Sequence, residues 1–210
     1  MTPFDTVRAT ALPLGLANCD TDQIVPARFL SRRRDQGFGE QLFHDLRYAD
    51  GHPRADFPLN QAAHRAAGIL LAGANFGCGS SRESAVWALV DAGLRVVVAP
   101  SFGDIFFGNA TKNGLLPIVQ PAAQVDAWLA AVRQHPPTVF EVDLAAQELR
   151  CAGKAPRHFD IDPLRKHMLL SGLDEIALTL AEAPALDAFE QGYERHAPWL
   201  AAPAATGTAP

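Results

Sequence analysis

Short, wholly apolar runs alternate with amphipathic stretches through the middle of the chain. Gly68-Ile-Leu-Leu-Ala72 and Arg95-Val-Val-Val-Ala99 are apolar runs bounded by turn-forming residues. Runs this short without polar alternation fit strands buried on both faces. Between them, Val86, Leu89 and Val90 lie at i, i+3 and i+4. That spacing predicts a helix over 81–92, closed by Gly93. A second helix is expected over 102–112, stopped by Asn113-Gly114, and a third strand over 115–119. Strand, helix, strand, helix, strand argues for a parallel α/β unit with right-handed crossovers.

The flanks are less regular. Residues 6–17 read as short strand or coil, 18–22 as a polar turn, and 36–57 as mostly loop with a short helix near 41–47. After the α/β unit, Val125, Trp128, Leu129 and Val132 share one helical face. Residues 138–142 and 148–151 suggest paired strands. Helices are expected over 162–170, opened by Asp162-Pro163, and 173–180. Pro184 interrupts, and Leu186, Phe189 and Tyr193 mark a last helical face. The expected organisation is one α/β domain over 1–195 and a flexible Ala/Pro/Thr/Gly tail over 196–210.

Composition narrows the function classes. The 210 residues are 48% hydrophobic and 20% charged, with a net charge of −5, so the chain can bury a core and has no basic surplus for nucleic acid. No apolar run approaches the roughly 18–20 residues of a membrane span. The first ten residues lack a signal-peptide pattern, and the expected location is cytoplasmic. The three cysteines, Cys19, Cys78 and Cys151, are too far apart for a disulfide framework or a closely spaced metal site. Loop or surface positions are expected for His44, His52, His64, His158 and His167. Arg32-Arg33-Arg34 reads as a solvated basic face.

The candidate chemistry sits in Asn75-Phe-Gly-Cys-Gly-Ser-Ser-Arg-Glu83, which joins the first buried strand to the first helix. Ligands of open α/β sheets bind outside the carboxyl ends of strands. Gly77 and Gly79 allow a sharp turn and close approach to a ligand. Ser80 and Glu83 have the spacing of a capping box, and Ser101 and Asp104 have similar capping spacing. A helix start attracts a carboxylate or phosphate, and Arg82 offers a planar fork for a carboxylate. Ser81 and Arg82 are therefore candidate substrate-binding residues, and Ser80 is a candidate base whose alkoxide nearby N–H groups and positive charge would stabilise. On spacing alone, Ser80 as a plain N-cap and Arg82 as a surface ion pair remain open. A nucleotide loop fits less well. The Walker lysine is missing, and Arg82 stands at the third glycine of G-x-G-x-x-G.

These residues resemble the small subunits of bacterial 3-isopropylmalate dehydratase, within the aconitase superfamily. The resemblance extends through Asp20-Thr-Asp-Gln-Ile24, Gly37-Phe-Gly39, Trp87-Ala-Leu89, Val98-Ala-Pro-Ser-Phe102, Leu115-Leu-Pro117 and Gly172-Leu-Asp-Glu-Ile176. It implies a swivelling β/β/α domain. It also implies a large partner, in a heterodimer or heterotetramer, carrying a 4Fe-4S cluster whose open iron acts as Lewis acid on a leaving hydroxyl. No cofactor or metal is expected on this chain. The implied reaction isomerises 2-isopropylmalate to 3-isopropylmalate by dehydration and rehydration, in leucine biosynthesis. Ser80 matches the family's base, and Ser81 and Arg82 match its carboxylate-binding residues. Asp22, in the other loop expected to face the cluster, is a further candidate substrate contact, and Arg28 is another. The family usually reads Arg-Glu-His-Ala-Pro-Trp, whereas here the run is Arg82-Glu-Ser84-Ala-Val86-Trp87. Action on another 2-alkylmalate, such as citramalate, dimethylmalate or benzylmalate, is the alternative within the family. A carboxylate-binding module without catalysis is the alternative from another class.

Overall fold

A computed structural model describes residues 1–197 and 199. The described chain divides into two compact units, Met1–Asp174 and the segment from Glu175 onward. The tail expected over 196–210 falls almost wholly outside the described residues.

The first unit is built on a mixed seven-stranded sheet. In chain order its strands are β1 (Val7–Pro13), β4 (Ile69–Leu71), β5 (Val96–Ala99), β6 (Leu116–Val119), β7 (Val139–Asp143), β8 (Glu148–Cys151) and β9 (Arg157–His158). A two-residue hairpin, β2 (Tyr48–Ala49) and β3 (His52–Pro53), stands apart from it. The spatial order is β6-β5-β4-β1-β7-β8-β9. The β1–β4, β4–β5 and β5–β6 pairs are parallel, with Ala11, Ile69, Val96 and Leu116 in line. The remaining pairs are antiparallel. The helices are α1 (Thr21–Ile24), α2 (His44–Arg47), α3 (Glu83–Asp91), α4 (Asp104–Lys112), α5 (Ala122–Gln134) and α6 (Pro163–Ser171), followed in the second unit by α7 (Glu175–Ala181) and α8 (Ala183–His196).

Side-chain alternation explains the all-apolar strands. Leu70 and Val97 point to one face of the sheet, where Ala85, Val86, Ala88 and Leu89 of α3 pack with Ile24, Leu42 and Phe43. Ile69, Leu71, Val96 and Val98 point to the other, against Val125, Trp128, Leu129 and Val132 of α5. Both faces are covered along β4 and β5, and every position of these two strands is accordingly apolar and buried. All three expected parallel strands form, and each of the two expected crossover helices begins two residues later than its pattern suggests. Pro184 lies in the first turn of α8, where its missing N–H costs nothing.

Local expectations hold only in part. The turn expected at 18–22 holds the start of α1. Its N-cap Asp20 accepts from the Gln23 amide at 2.7 Å, and Gln23 Oε1 accepts from the Asp20 amide at 3.1 Å. Here a reciprocal capping box does form. His64 lies in a loop, as expected, but is not at the surface: it is buried at 2% exposure, with Nδ1 3.0 Å from the carbonyl oxygen of Ala11. Arg32, Arg33 and Arg34 are all exposed, as the solvated-face reading expects, and the Arg34 guanidinium in addition grips the Asp91 carboxylate at 2.7–3.0 Å and lies 5.7 Å from the centre of the Trp87 ring.

Candidate active site

Three loops meet at the carboxyl ends of β1, β4 and β5. The first runs through 14–20 into α1, the second through 72–82 into α3, and the third through 100–103 into α4. Backbone bonds lace the second to the others. Gly77 N donates to the Cys19 carbonyl at 2.7 Å, and Thr21 N donates to the Cys78 carbonyl at 3.0 Å. Phe76 N donates to Ser101 O at 3.1 Å, and Gly103 N donates to Phe76 O at 2.9 Å.

Two glycines are indispensable to this weave. Gly77 has φ +73°, and a Cβ there would stand 2.2 Å from Cγ of Phe106. At Gly103 a Cβ would stand 2.6 Å from the Gly77 carbonyl oxygen. The turn is also buttressed by rings: Phe76 meets Phe106 edge-on at 5.3 Å, and Phe102 stacks on Phe106 at 6.2 Å. It is therefore rigid below and open above, where Ser80 and Ser81 are exposed.

The capping boxes expected at Ser80/Glu83 and Ser101/Asp104 do not form. α3 starts at Glu83 with Arg82 at the N-cap in an extended conformation, and no side chain caps it. Glu83 instead accepts from Asn113 Nδ2 at 2.8 Å, at the end of α4. Gly103, not Ser101, is the N-cap of α4, and Ser101 Oγ accepts from the Asn75 amide at 2.8 Å. Both serines stand too far back in the turn to reach the first helical amides. Consequently the Ser80 hydroxyl is not spent on a cap, and no side chain hydrogen-bonds the start of α3, whose first turn carries the acidic Glu83.

Asp22 and Arg82 form an ion pair across the two loops, between Oδ1 and Nη1. The Arg82 side chain is 19% exposed and the Asp22 side chain 53%. Thr21, buried at 2%, donates its hydroxyl to the Ser80 carbonyl at 3.1 Å. Four of the five candidate residues, Asp22, Ser80, Ser81 and Arg82, thus belong to two loops held together at one place. Arg28 is not among them. It pairs with Asp45, its Nη1 2.8 Å from Oδ2, and lies 4.6 Å from the centre of the Phe29 ring.

The residues most clearly missed by spacing are Asp20, Thr21 and the pair Asn18–Asn75. Asp20-x-x-Gln23 carried a capping signal that the polar-turn reading passed over. The two asparagines, both left-handed at φ 52° and 58°, bond side chain to side chain at 2.9 Å. Nothing local in the sequence marks that pair.

Cys19 is fully buried, and burial, with the Asp20 charge beside it, pushes its thiol up to about 12. A thiol held neutral is a poor metal ligand. Cys151 lies on β8, and no group of three or more metal-ligating side chains occurs among the described residues. The residues present do not fit an iron–sulfur cluster held by this chain. Val86, at the position where the family usually has proline, is fully buried in the core and faces away from solvent. No helix among the described residues is long and apolar enough to cross a membrane.

Comparisons with known proteins place the chain in a family. Residues 1–123 match the model of the aconitase C-terminal domain, and residues 175–203 match that of the C-terminal domain of the 3-isopropylmalate dehydratase small subunit. A 3-isopropylmalate dehydratase small subunit from Paramagnetospirillum magneticum is 48% identical, covering 95% of this chain and 100% of the relative. One from Magnetococcus marinus is 47% identical, over 95% and 98%. The crystal structure of a 3-isopropylmalate dehydratase from Methanocaldococcus jannaschii superposes with a TM-score of 0.63 at 23% identity, covering 88% of this chain and 99% of that one, and shares the fold. Shared fold, matching domain models and near-full-length similarity converge: this chain belongs to the family of 3-isopropylmalate dehydratase small subunits.

Proposed function

We propose that this chain supplies the proton-transferring base and the carboxylate clamp of the hydro-lyase, and that the large subunit supplies the rest of the active site. The reaction of the family isomerises 2-isopropylmalate to 3-isopropylmalate by loss and return of water, in leucine biosynthesis. One proton must leave the carbon beside the hydroxyl-bearing carbon, and on rehydration a proton is added to the carbon that lost the hydroxyl while the hydroxyl goes to its neighbour. Ser80 stands on an exposed turn, free of capping duty, one residue from Ser81 and two from the Arg82 guanidinium. Arg82 and Ser81 hold a substrate carboxylate, and the Ser80 oxygen takes the proton. Positive charge from Arg82 and the start of α3 favours the alkoxide form that this step requires. The carrying observation is the displacement of the helix start to Glu83, which leaves Ser80 uncapped and catalytically available.

The hydroxyl leaving group needs an electrophile that this chain does not offer. A 4Fe-4S cluster on the large subunit supplies Lewis-acid chemistry for it. Arg28, exposed and already paired with Asp45, is a contact to the distal part of the substrate only if that pair opens. Because Val86 is buried, the departure from the family run at this position alters packing rather than the substrate-facing surface. The names of the near-full-length relatives favour 2-isopropylmalate over citramalate, dimethylmalate or benzylmalate.

The test is to reconstitute the chain with its large partner and compare wild type with Ser80→Ala. Turnover should fall by at least about 1,000-fold, in the range seen when the key proton-transfer group is removed. Substrate KM should stay within a few-fold. Full turnover in the variant would refute the assignment. Faster turnover of citramalate than of 2-isopropylmalate would overturn the substrate choice.

A further inference from the structure

A carboxylate beside a dicarboxylate-binding site is an electrostatic puzzle, because like charges repel within a few ångströms. Asp22 nevertheless stands there, and its position is tightly determined. It sits on α1, whose start is fixed by the Asp20–Gln23 capping box. α1 is tied to the catalytic turn by Thr21, through its amide to Cys78 O at 3.0 Å and its hydroxyl to Ser80 O at 3.1 Å. The Asp22 carboxylate takes one Arg82 nitrogen, Nη1. Nε and Nη2 of Arg82 have no acceptor among the described residues.

We infer that Asp22 is a positioning residue: it holds one end of the Arg82 guanidinium so that the other edge meets the substrate carboxylate. A guanidinium carries five donors in a planar fork and accommodates two carboxylates on different edges. Fixing one edge orients the other and lowers the ordering cost of binding. The repulsion between Asp22 and the substrate is offset by the cation they share. Asp22 therefore acts through Arg82 and does not itself bind substrate, which revises its candidate role as a direct contact. The inference rests on the reading of Arg82 as the carboxylate clamp.

The experiment uses the reconstituted two-subunit enzyme with Asp22→Ala, Arg82→Lys and the double variant. Asp22→Ala should raise KM for 2-isopropylmalate by about 10-fold while kcat stays within about 3-fold, because only ordering of the clamp is lost. The inhibition constant of 2-isopropylsuccinate, which lacks the hydroxyl, should rise in parallel. In the Arg82→Lys background, where the planar fork is gone, Asp22→Ala should change KM by less than about 2-fold. Unchanged KM in Asp22→Ala, a KM that falls because a competing carboxylate is gone, or additive effects in the double variant would each overturn the positioning role. If Arg82→Lys alone leaves KM unchanged, the clamp reading itself fails. If Arg82→Lys raises KM and Asp22→Ala does not, only the positioning role fails.

Discussion

Gly77 concentrates more constraint than any other single residue of the site. Its φ of +73° is open to glycine at little cost, and the space a Cβ would need is filled by the Phe106 ring. Alanine there meets both penalties, roughly 1–2 kcal/mol for the left-handed backbone and about 1–3 kcal/mol for the overpacked ring. Gly77→Ala should lower the urea midpoint of the isolated chain clearly, and an unchanged midpoint would show that the turn is looser than described. Among the cysteines, exposure and thiol chemistry separate Cys78 from Cys19. Cys78 is partly exposed in the turn, whereas Cys19 is fully buried with its thiol pushed up to about 12. A maleimide at a pH of about 8, near the ordinary thiol value, should label Cys78 before Cys19 under native conditions, as read by peptide mapping. Earlier labelling of Cys19 would contradict the packing.

At the scale of elements, the start of α3 decides whether Ser80 is structural or chemical. An N-cap serine lost to alanine costs about 1 kcal/mol, whereas a surface serine with no capping role costs within about 0.5 kcal/mol. Ser80→Ala should therefore leave stability to denaturant unchanged. The connection from α1 to α2 carries a pH signature. The Arg28 guanidinium, helped by His44, holds the Asp45 carboxyl down from its ordinary 3.8 to about 2. A depressed acid contributes stability above its unfolded value and loses it as pH falls through its folded one. Wild type should thus lose stability between about pH 4 and 2 that Asp45→Asn does not lose, and parallel acid titrations would contradict the pair. The parallel strands and crossover helices were legible because apolar runs and 3.6-residue spacing report burial directly. The site turn was legible through Gly77, Gly79 and Arg82. What spacing could not report was non-local. Ser80 looked like a cap because the start of α3 depends on the loop geometry around Thr21 and Phe106. The partners Asp22–Arg82 and Asn18–Asn75 are separated by 60 and 57 residues.

For the whole molecule, each of the two compact units carries one family match, residues 1–123 within the first and a match starting at residue 175 in the second. The second unit opens at Glu175, where the match to the C-terminal domain of the dehydratase small subunit also begins. The first unit holds every residue assigned to the chemistry. On the proposed reading it contributes a base and a carboxylate clamp, and the large partner contributes the electrophile that releases the hydroxyl. The isolated chain should accordingly show no dehydration of 2-isopropylmalate, and addition of the large partner should restore it. The central claim is that Ser80 moves the substrate proton, and isotope exchange reads that step directly. In the reconstituted enzyme, 2-isopropylmalate labelled with deuterium at the carbon beside the hydroxyl-bearing carbon should lose its label to water with wild type. With Ser80→Ala it should retain the label while still binding at near wild-type affinity. Label loss at the wild-type rate in that variant would contradict the account.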